Sequence, residues 1–295
     1  MAIGLKGSPG PATPSRGNDM SDNEHPVDSM PLDEKASDDR SAGVMSALQA
    51  LESRIDKLES NLLARQRESN LQLYRQFEAF HWLTQRLSIK GRLPPLRGWP
   101  LSPDILLELH ETVSANRPGL IVEFGSGSST LVIADALAQI GQGRLVSFEH
   151  SPHYAEETRR SLEREGLLEW VDLRVGELAP WQGAHLAFET EEGAKSTIGD
   201  ESVPHWYPVP LLEDLDAIDF VLVDGPPAGT CRFARYPALP ALAGKLASGC
   251  SVWLDDAGRW EEKKIIEAWA EHQAATVEQR PMEKGLAIVA FDDAP

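Results

Sequence analysis

From residue 120 to residue 291 the sequence alternates short apolar runs with amphipathic ones, and this alternation constrains the fold more than any other feature. Residues 120–124, 144–149, 171–175, 220–224 and 251–254 read as strands. Residues 129–138, 153–165, 235–246 and 261–272 read as helices between or after them. A continuous apolar run suits a strand buried on both faces, which calls for a mostly parallel sheet with helices on each side. The last two runs, 275–280 and 286–291 around Gly285, read as a hairpin that closes the sheet. The expected fold class is therefore α/β: a doubly wound, mostly parallel, seven-stranded sheet.

Upstream the character changes twice. Residues 1–40 are rich in Gly, Pro, Ser and Asp and poor in large apolar groups, so they are expected to be a disordered acidic tail. Residues 41–90 are expected to be a long amphipathic helix. Val44, Leu48, Leu51, Ile55, Leu58 and Leu62 recur at alternating spacings of four and three, a heptad seam. After a longer step the seam resumes at Leu73, Phe77 and Phe80, in the manner of a stutter. Gly91 and Pro94-Pro95 stop the helix. The first part favours a coiled coil and a homo-oligomer. The second, with Phe77, Phe80, Trp82 and Leu83, suits docking on the following domain equally well. Residues 91–295 form that domain, opened by Ser102 as N-cap and Pro103 at the first helical position.

The formal charge of −18 argues against nucleic-acid and anionic-membrane partners. No stretch is apolar for long enough to span a membrane. Two cysteines, Cys231 and Cys250, are neither a disulfide scaffold nor a metal motif, which suits a reducing cytoplasm.

Four positions carry the candidate chemistry. The turn Glu123-Phe124-Gly125-Ser126-Gly127-Ser128-Ser129-Thr130 joins the first strand to the first helix. Its glycines allow a sharp turn and a close ligand, in the context such a turn requires. Thr130 occupies the place of the third glycine of a dinucleotide fingerprint. Glu149 ends the second strand, where an acid can hold a ribose diol. Asp224 ends the strand 220–224 and precedes Gly225-Pro226-Pro227. Asp255-Asp256 end the strand 251–254. Asp224, Asp255 and Asp256, if they converge, suit an oxygen-seeking ion such as Mg2+; otherwise they orient loops, cap a helix or hold substrate. His205 is a candidate base in the long connection 178–217, which reads as a lid or recognition segment. His150 follows Glu149 and is a candidate cofactor contact. Arg232 and Arg235 could meet an anionic substrate group or sit in solvent. Trp206 and Tyr207 could stack on a ring or pack in the core.

These motifs, in this order, resemble class I S-adenosylmethionine-dependent methyltransferases over residues from about 100 to 292. More narrowly, they resemble a bacterial O-methyltransferase-like group with a Gly-Ser-Gly-x-Ser-Thr loop and an Asp-Gly-Pro-Pro turn. The resemblance implies a Rossmann-like sheet and S-adenosylmethionine as cofactor. It implies that Glu123, Gly125 and Gly127 surround the methionine part, with Ser126, Ser129 and Thr130 in the same loop. Glu149 would hold the ribose and Glu177 would lie near the adenine. In metal-dependent members, acids matching Asp224, Asp255 and Asp256 hold Mg2+ against a substrate diol. Catechol-type relatives carry a basic Lys soon after the acid matching Asp224, whereas this chain has Gly225, Pro226, Pro227 and Ala228, so that base does not transfer.

The expected activity is methylation of a hydroxyl on a small molecule or sugar, with Asp224, Asp255 and His205 as the catalytic candidates. Two other readings compete. A nicotinamide-dependent oxidoreductase shares the turn and Glu149, but predicts a third glycine. A non-catalytic S-adenosylmethionine-binding module carried on a coiled coil predicts loss of acids that are present here.

Overall fold

The computed structural model describes residues 34–186, 203–273 and 275–291. Most of the expected tail, 1–33, and the middle of the long connection, 187–202, lie outside the described residues. The described residues fall into two units, divided between Leu63 and Ala64. Helix α1 (Glu34–Arg86) runs through both and begins inside the segment expected to be tail.

In the first unit the seam residues Val44, Leu48, Leu51, Ile55, Leu58 and Leu62 are all exposed. In the second unit α1 buries a different stripe from the expected seam. Ala79 and Leu83 are covered, and Gln76 Nε2 donates to Asp104 Oδ2 at 2.7 Å. Leu83 packs with Ile105 and Leu109, whereas Leu73, Phe77, Phe80 and Trp82 stay exposed. Of the residues considered for docking, Leu83 alone docks. Past the helix end, the Ser88 N–H donates to Asp135 Oδ1 at 3.1 Å, and Gln139 Nε2 donates to the Arg86 carbonyl at 2.9 Å.

The second unit follows with α2 (Pro103–Asn116), β1 (Leu120–Phe124), α3 (Ser128–Ile140), β2 (Arg144–Glu149), α4 (Pro152–Glu165) and β3 (Val171–Val175). A two-residue ribbon joins β4 (Ala179–Pro180) to β5 (His205–Trp206). Then come β6 (Ile218–Val223), α5 (Ala238–Ala241), β7 (Leu246–Asp255), α6 (Trp260–Gln273), β8 (Thr276–Arg280) and β9 (Leu286–Ala290). The main sheet has seven strands in the order β3-β2-β1-β6-β7-β9-β8. Strands from β3 to β7 pair in parallel, and β9 runs antiparallel to both β7 and β8. The expected α/β sheet and closing hairpin are present. The strand order reverses beside β1, so the carboxyl ends of β1, β2, β6 and β7 open on one crevice.

Three local expectations change. Ser102 stands at the N-cap of α2, but its hydroxyl donates to Asp104 Oδ1 at 2.5 Å rather than accepting from the helix. The helix expected over 235–246 shrinks to the single turn of α5, because Pro237 and Pro240 withhold backbone donors and Gly244 turns left-handed at φ +71°. Strand β7 starts five residues early, at Leu246, crossing a register shift opposite Ile218 and Phe220 and a left-handed Gly249.

Two apolar layers cover the sheet. Phe124, Phe148, Trp206, Val223 and Trp269 lie in one, and Leu109, Ile121, Leu131 and Trp253 in the other. Among the described residues, no helix is long and apolar enough to cross a membrane.

Candidate functional site

The glycine turn leaves β1 under a tight constraint. Gly125 has φ +97°, a conformation costly for a side chain. A Cβ there would stand 3.0 Å from the Gly225 nitrogen, so the turn after β1 and the loop after β6 lie in backbone contact. A Cβ on Gly127 would meet nothing within 4 Å, which leaves open space beside the turn. Thr130 ties the turn together: its hydroxyl accepts from the Gly127 N–H at 2.8 Å and donates to Glu123 Oε2 at 2.6 Å. Ser147 Oγ donates to the same oxygen at 2.6 Å. Glu123 is wholly buried, and burial pushes its carboxyl up to about 7 although the surrounding hydroxyls pull it down. Ser128 and Ser129 are buried in the first turn of α3.

Glu149 closes the same end of β2. Its Oε2 accepts from the Ser126 N–H and from Ser126 Oγ, both at 3.1 Å. Its Oε1 accepts from the Ser151 N–H at 2.8 Å, and His150 Nδ1 stands 3.0 Å away. Burial alone would raise this carboxyl, but hydrogen bonds from His150, Ser151 and Ser126 outweigh it and hold Glu149 below its ordinary value. A carboxylate has about four acceptor positions, so a ribose diol would bind by displacing Ser126 or His150. Glu177 is exposed, just past β3.

Asp224, Asp255 and Asp256 do converge: each offers an oxygen, and these oxygens lie within 4.8 Å of one another. Between them lies Arg235, buried at 4% exposure. Its Nη2 is 3.2 Å from Asp224 Oδ1, 3.0 Å from Asp256 Oδ2 and 2.7 Å from the Asp224 carbonyl. Its Nη1 donates to the Asp255 carbonyl at 2.9 Å. Arg259 adds a second contact to Asp256 Oδ2, at 2.9 Å. Both side-chain oxygens of Asp255 are buried, beside the Asp224 carboxyl and the Asp256 backbone. Burial and the neighbouring Asp255 push Asp224 well above the carboxylate range, while Arg235 opposes the shift. Burial and the neighbouring Asp256 push Asp255 up in the same way.

The remaining sequence candidates fall elsewhere. His205 sits on β5 with Nδ1 2.9 Å from the Val203 carbonyl; among the described residues it forms no hydrogen bond or ion pair with the three aspartates. Trp206 and Tyr207 are core residues against Phe124, with ring centroids 4.8 and 5.4 Å away. The Tyr207 hydroxyl is nevertheless unpaired, and burial, with Glu149 nearby, raises it well above the phenol range. Arg232 pairs with Glu261 at 3.2 Å and lies over the rings of Phe233 and Trp260. The sequence reading missed Glu262, which is buried with Oε2 unpaired, and Ser147. A small polar residue inside an apolar strand is the signal for Ser147; Glu262 looks like any acid in the first turn of a helix.

S-adenosylmethionine fits what is present. The space beside Gly127 is open, the Ser128 hydroxyl in the first turn of α3 is buried and unpaired, and the unpaired Tyr207 hydroxyl borders Gly225. Mg2+ fits less well. The acids are suitable, but two of the three already hold a guanidinium that is itself fastened to two backbone carbonyls.

A doubly wound sheet with a closing hairpin, a glycine turn and acids at successive strand ends define the class I methyltransferase fold. Residues 122–257 match a family model described as a methyltransferase domain. The SAH-bound methyltransferase PaMTH1 of Podospora anserina is 16% identical, with a TM-score of 0.50 over 74% of this chain and 88% of that one. The O-methyltransferase TomG of Streptomyces achromogenes, solved with SAM and involved in tomaymycin synthesis, is 16% identical (TM-score 0.49, over 75% and 96%). An O-methyltransferase from Bacillus cereus in complex with SAH is 19% identical (TM-score 0.46, over 73% and 90%). No curated protein matches the sequence. Residues 122–257 are thus similar to a methyltransferase domain, and the sheet has the Rossmann-like methyltransferase fold.

Proposed function

We propose that this protein transfers a methyl group from S-adenosylmethionine to a hydroxyl of a small molecule or sugar unit. The observation that carries the reading is the meeting of the glycine turn, Glu149, Asp224 and Asp255 at the carboxyl ends of β1, β2, β6 and β7. The cofactor supplies an electrophilic methyl group on a sulfonium. Glu123, Gly125, Ser126, Gly127, Ser129 and Thr130 form the wall for its amino-acid end, Glu149 and His150 hold the ribose, and Glu177 stands on the adenine side. Displacement at a methyl carbon needs alignment and exclusion of water, which a crevice between packed loops provides. The acceptor must also lose a proton. Asp224 is our choice of base: its side chain is 14% exposed at the end of β6, and burial with Asp255 beside it raises its affinity for protons. Asp255 lies behind it. His205 remains a candidate only through the connection beside it.

The exposed heptad residues of α1 support a second assignment: residues 41–90 form a coiled coil with another copy of this chain, ahead of a catalytic domain over 91–295.

Titration calorimetry with S-adenosylmethionine and with NAD tests the first reading. Saturable binding of the former alone is expected, followed by label transfer from methyl-labelled cofactor into a panel of phenols and glycosides. Binding of NAD alone would overturn it.

A further inference from the structure

Three aspartates whose oxygens lie within 4.8 Å of one another would repel one another strongly without a cation. Among the described residues the charge nearest them is already part of the chain. We infer that Arg235 is the resident cation of this site, so that the protein needs no divalent metal and Arg235 positions Asp224 for the acceptor.

The geometry supports this in three ways. Arg235 is buried at 4% exposure, and a guanidinium keeps its charge at any pH a protein survives. It is also fixed. Carbonyls of Asp224 at 2.7 Å and Asp255 at 2.9 Å hold two of its nitrogens, so it cannot swing out to admit an ion without abandoning buried acceptors. Finally, it engages two of the three acids that converge, Asp224 through Oδ1 at 3.2 Å and Asp256 through Oδ2 at 3.0 Å. Mg2+ requires oxygen ligands in near-octahedral array, and beside a buried guanidinium it would meet like charge at short range.

Arg235 supplies charge to the site but not the base that a lysine would have been, because a guanidinium holds its proton. No lysine follows Asp224 in the Gly225-Pro226-Pro227 loop. The cation comes instead from eleven residues on, just before Pro237 and the short turn α5, where a left-handed Phe233 (φ 50°) helps turn the chain back.

The consequence for substrate rests on the methyltransferase reading; the identity of the cation does not. Without a metal to chelate a diol, one hydroxyl within reach of Asp224 is sufficient. The test uses Mn2+ alone, with no S-adenosylmethionine and no acceptor, and so fails separately from that reading. The full-length protein is titrated with Mn2+ and free ion is followed by electron paramagnetic resonance. The wild type should show no saturable site, and Arg235→Ala should gain one, with binding tighter by about tenfold or more. Asp255→Asn in the Arg235→Ala background should remove the gained site. Arg235→Gln serves in the same way if the alanine variant does not fold. A stoichiometric Mn2+ site in the wild type that Asp255→Asn abolishes would overturn the inference. So would a folded Arg235 variant that still binds no Mn2+.

Discussion

Gly225 and Gly125 lie back to back: a Cβ on Gly225 would stand 3.0 Å from Gly125 Cα, and one on Gly125 would stand 3.0 Å from the Gly225 nitrogen. The glycine turn after β1 and the Asp224-Gly225-Pro226-Pro227 loop after β6 are therefore one packed unit. The same Cβ on Gly225 would also stand against the Tyr207 hydroxyl. Gly225→Ala should force these backbones apart, destabilising the protein by about 1–3 kcal/mol, the usual cost of overpacking. Thermal unfolding checks this. Tyr207→Phe added to Gly225→Ala should recover only part of the loss, since the Gly125 backbone still opposes the methyl group. Full recovery would mean that the two loops are not in the contact described.

Glu123 ties stability to pH. Its carboxyl titrates near 7 in the folded protein and near 4.5 when solvated. Between those values the folded state holds a proton that the unfolded chain has lost, so this group makes stability fall as pH rises from about 4.5 through 7. About 2.5 units correspond to roughly 3 kcal/mol at 1.36 kcal/mol per unit. Glu123→Gln, which stays neutral, should flatten that part of the slope. Urea unfolding midpoints of both proteins at pH 5, 6, 7 and 8 provide the measurement. Parallel curves would show that Glu123 is not the group responsible.

Glu149→Gln keeps the shape of the side chain and removes its charge. Hydrogen bonds to a charged group contribute about 1.5–3 kcal/mol, so S-adenosylmethionine should bind roughly 10–100-fold more weakly. Calorimetry checks the affinity, and a thermal melt separates it from the loosening of Ser126 and Ser151. Unchanged affinity would remove Glu149 from the ribose site.

The α1 seam can be tested in the intact chain. Leu51→Lys with Leu58→Lys places charge at two exposed seam positions. The solution mass by light scattering should fall toward 32.4 kDa, the mass of one chain. Retention of a larger mass would show that assembly, if present, uses another surface.

The sheet was legible in the sequence because strands such as 120–124 and 220–224 are apolar throughout, and a pattern of that kind needs no knowledge of what lies across it. The glycine turn was legible for the same local reason. Arg235 was not. Its contacts to Asp224, Asp255 and Asp256 depend on how the stretch containing Pro237 folds back, and the helix expected there hid it. Tyr207 sat in an ambiguous aromatic pair until packing on Phe124 placed it in the core. The buried stripe of α1 was misjudged because Ala79 and Gln76 carry little hydrophobic signal beside Phe77 and Phe80.

Thr130 has an effect on ligand choice beyond holding the turn. Phosphate-cradling turns work by presenting free N–H groups to an anion. Here the Gly127 N–H is already given to the Thr130 hydroxyl, whose own proton goes to a carboxylate. A pyrophosphate arriving at this turn would meet a satisfied donor backed by Glu123, with Glu149 and Asp224 close by. One threonine where a dinucleotide turn has glycine therefore takes a backbone donor away from any anion and spends it inside the protein.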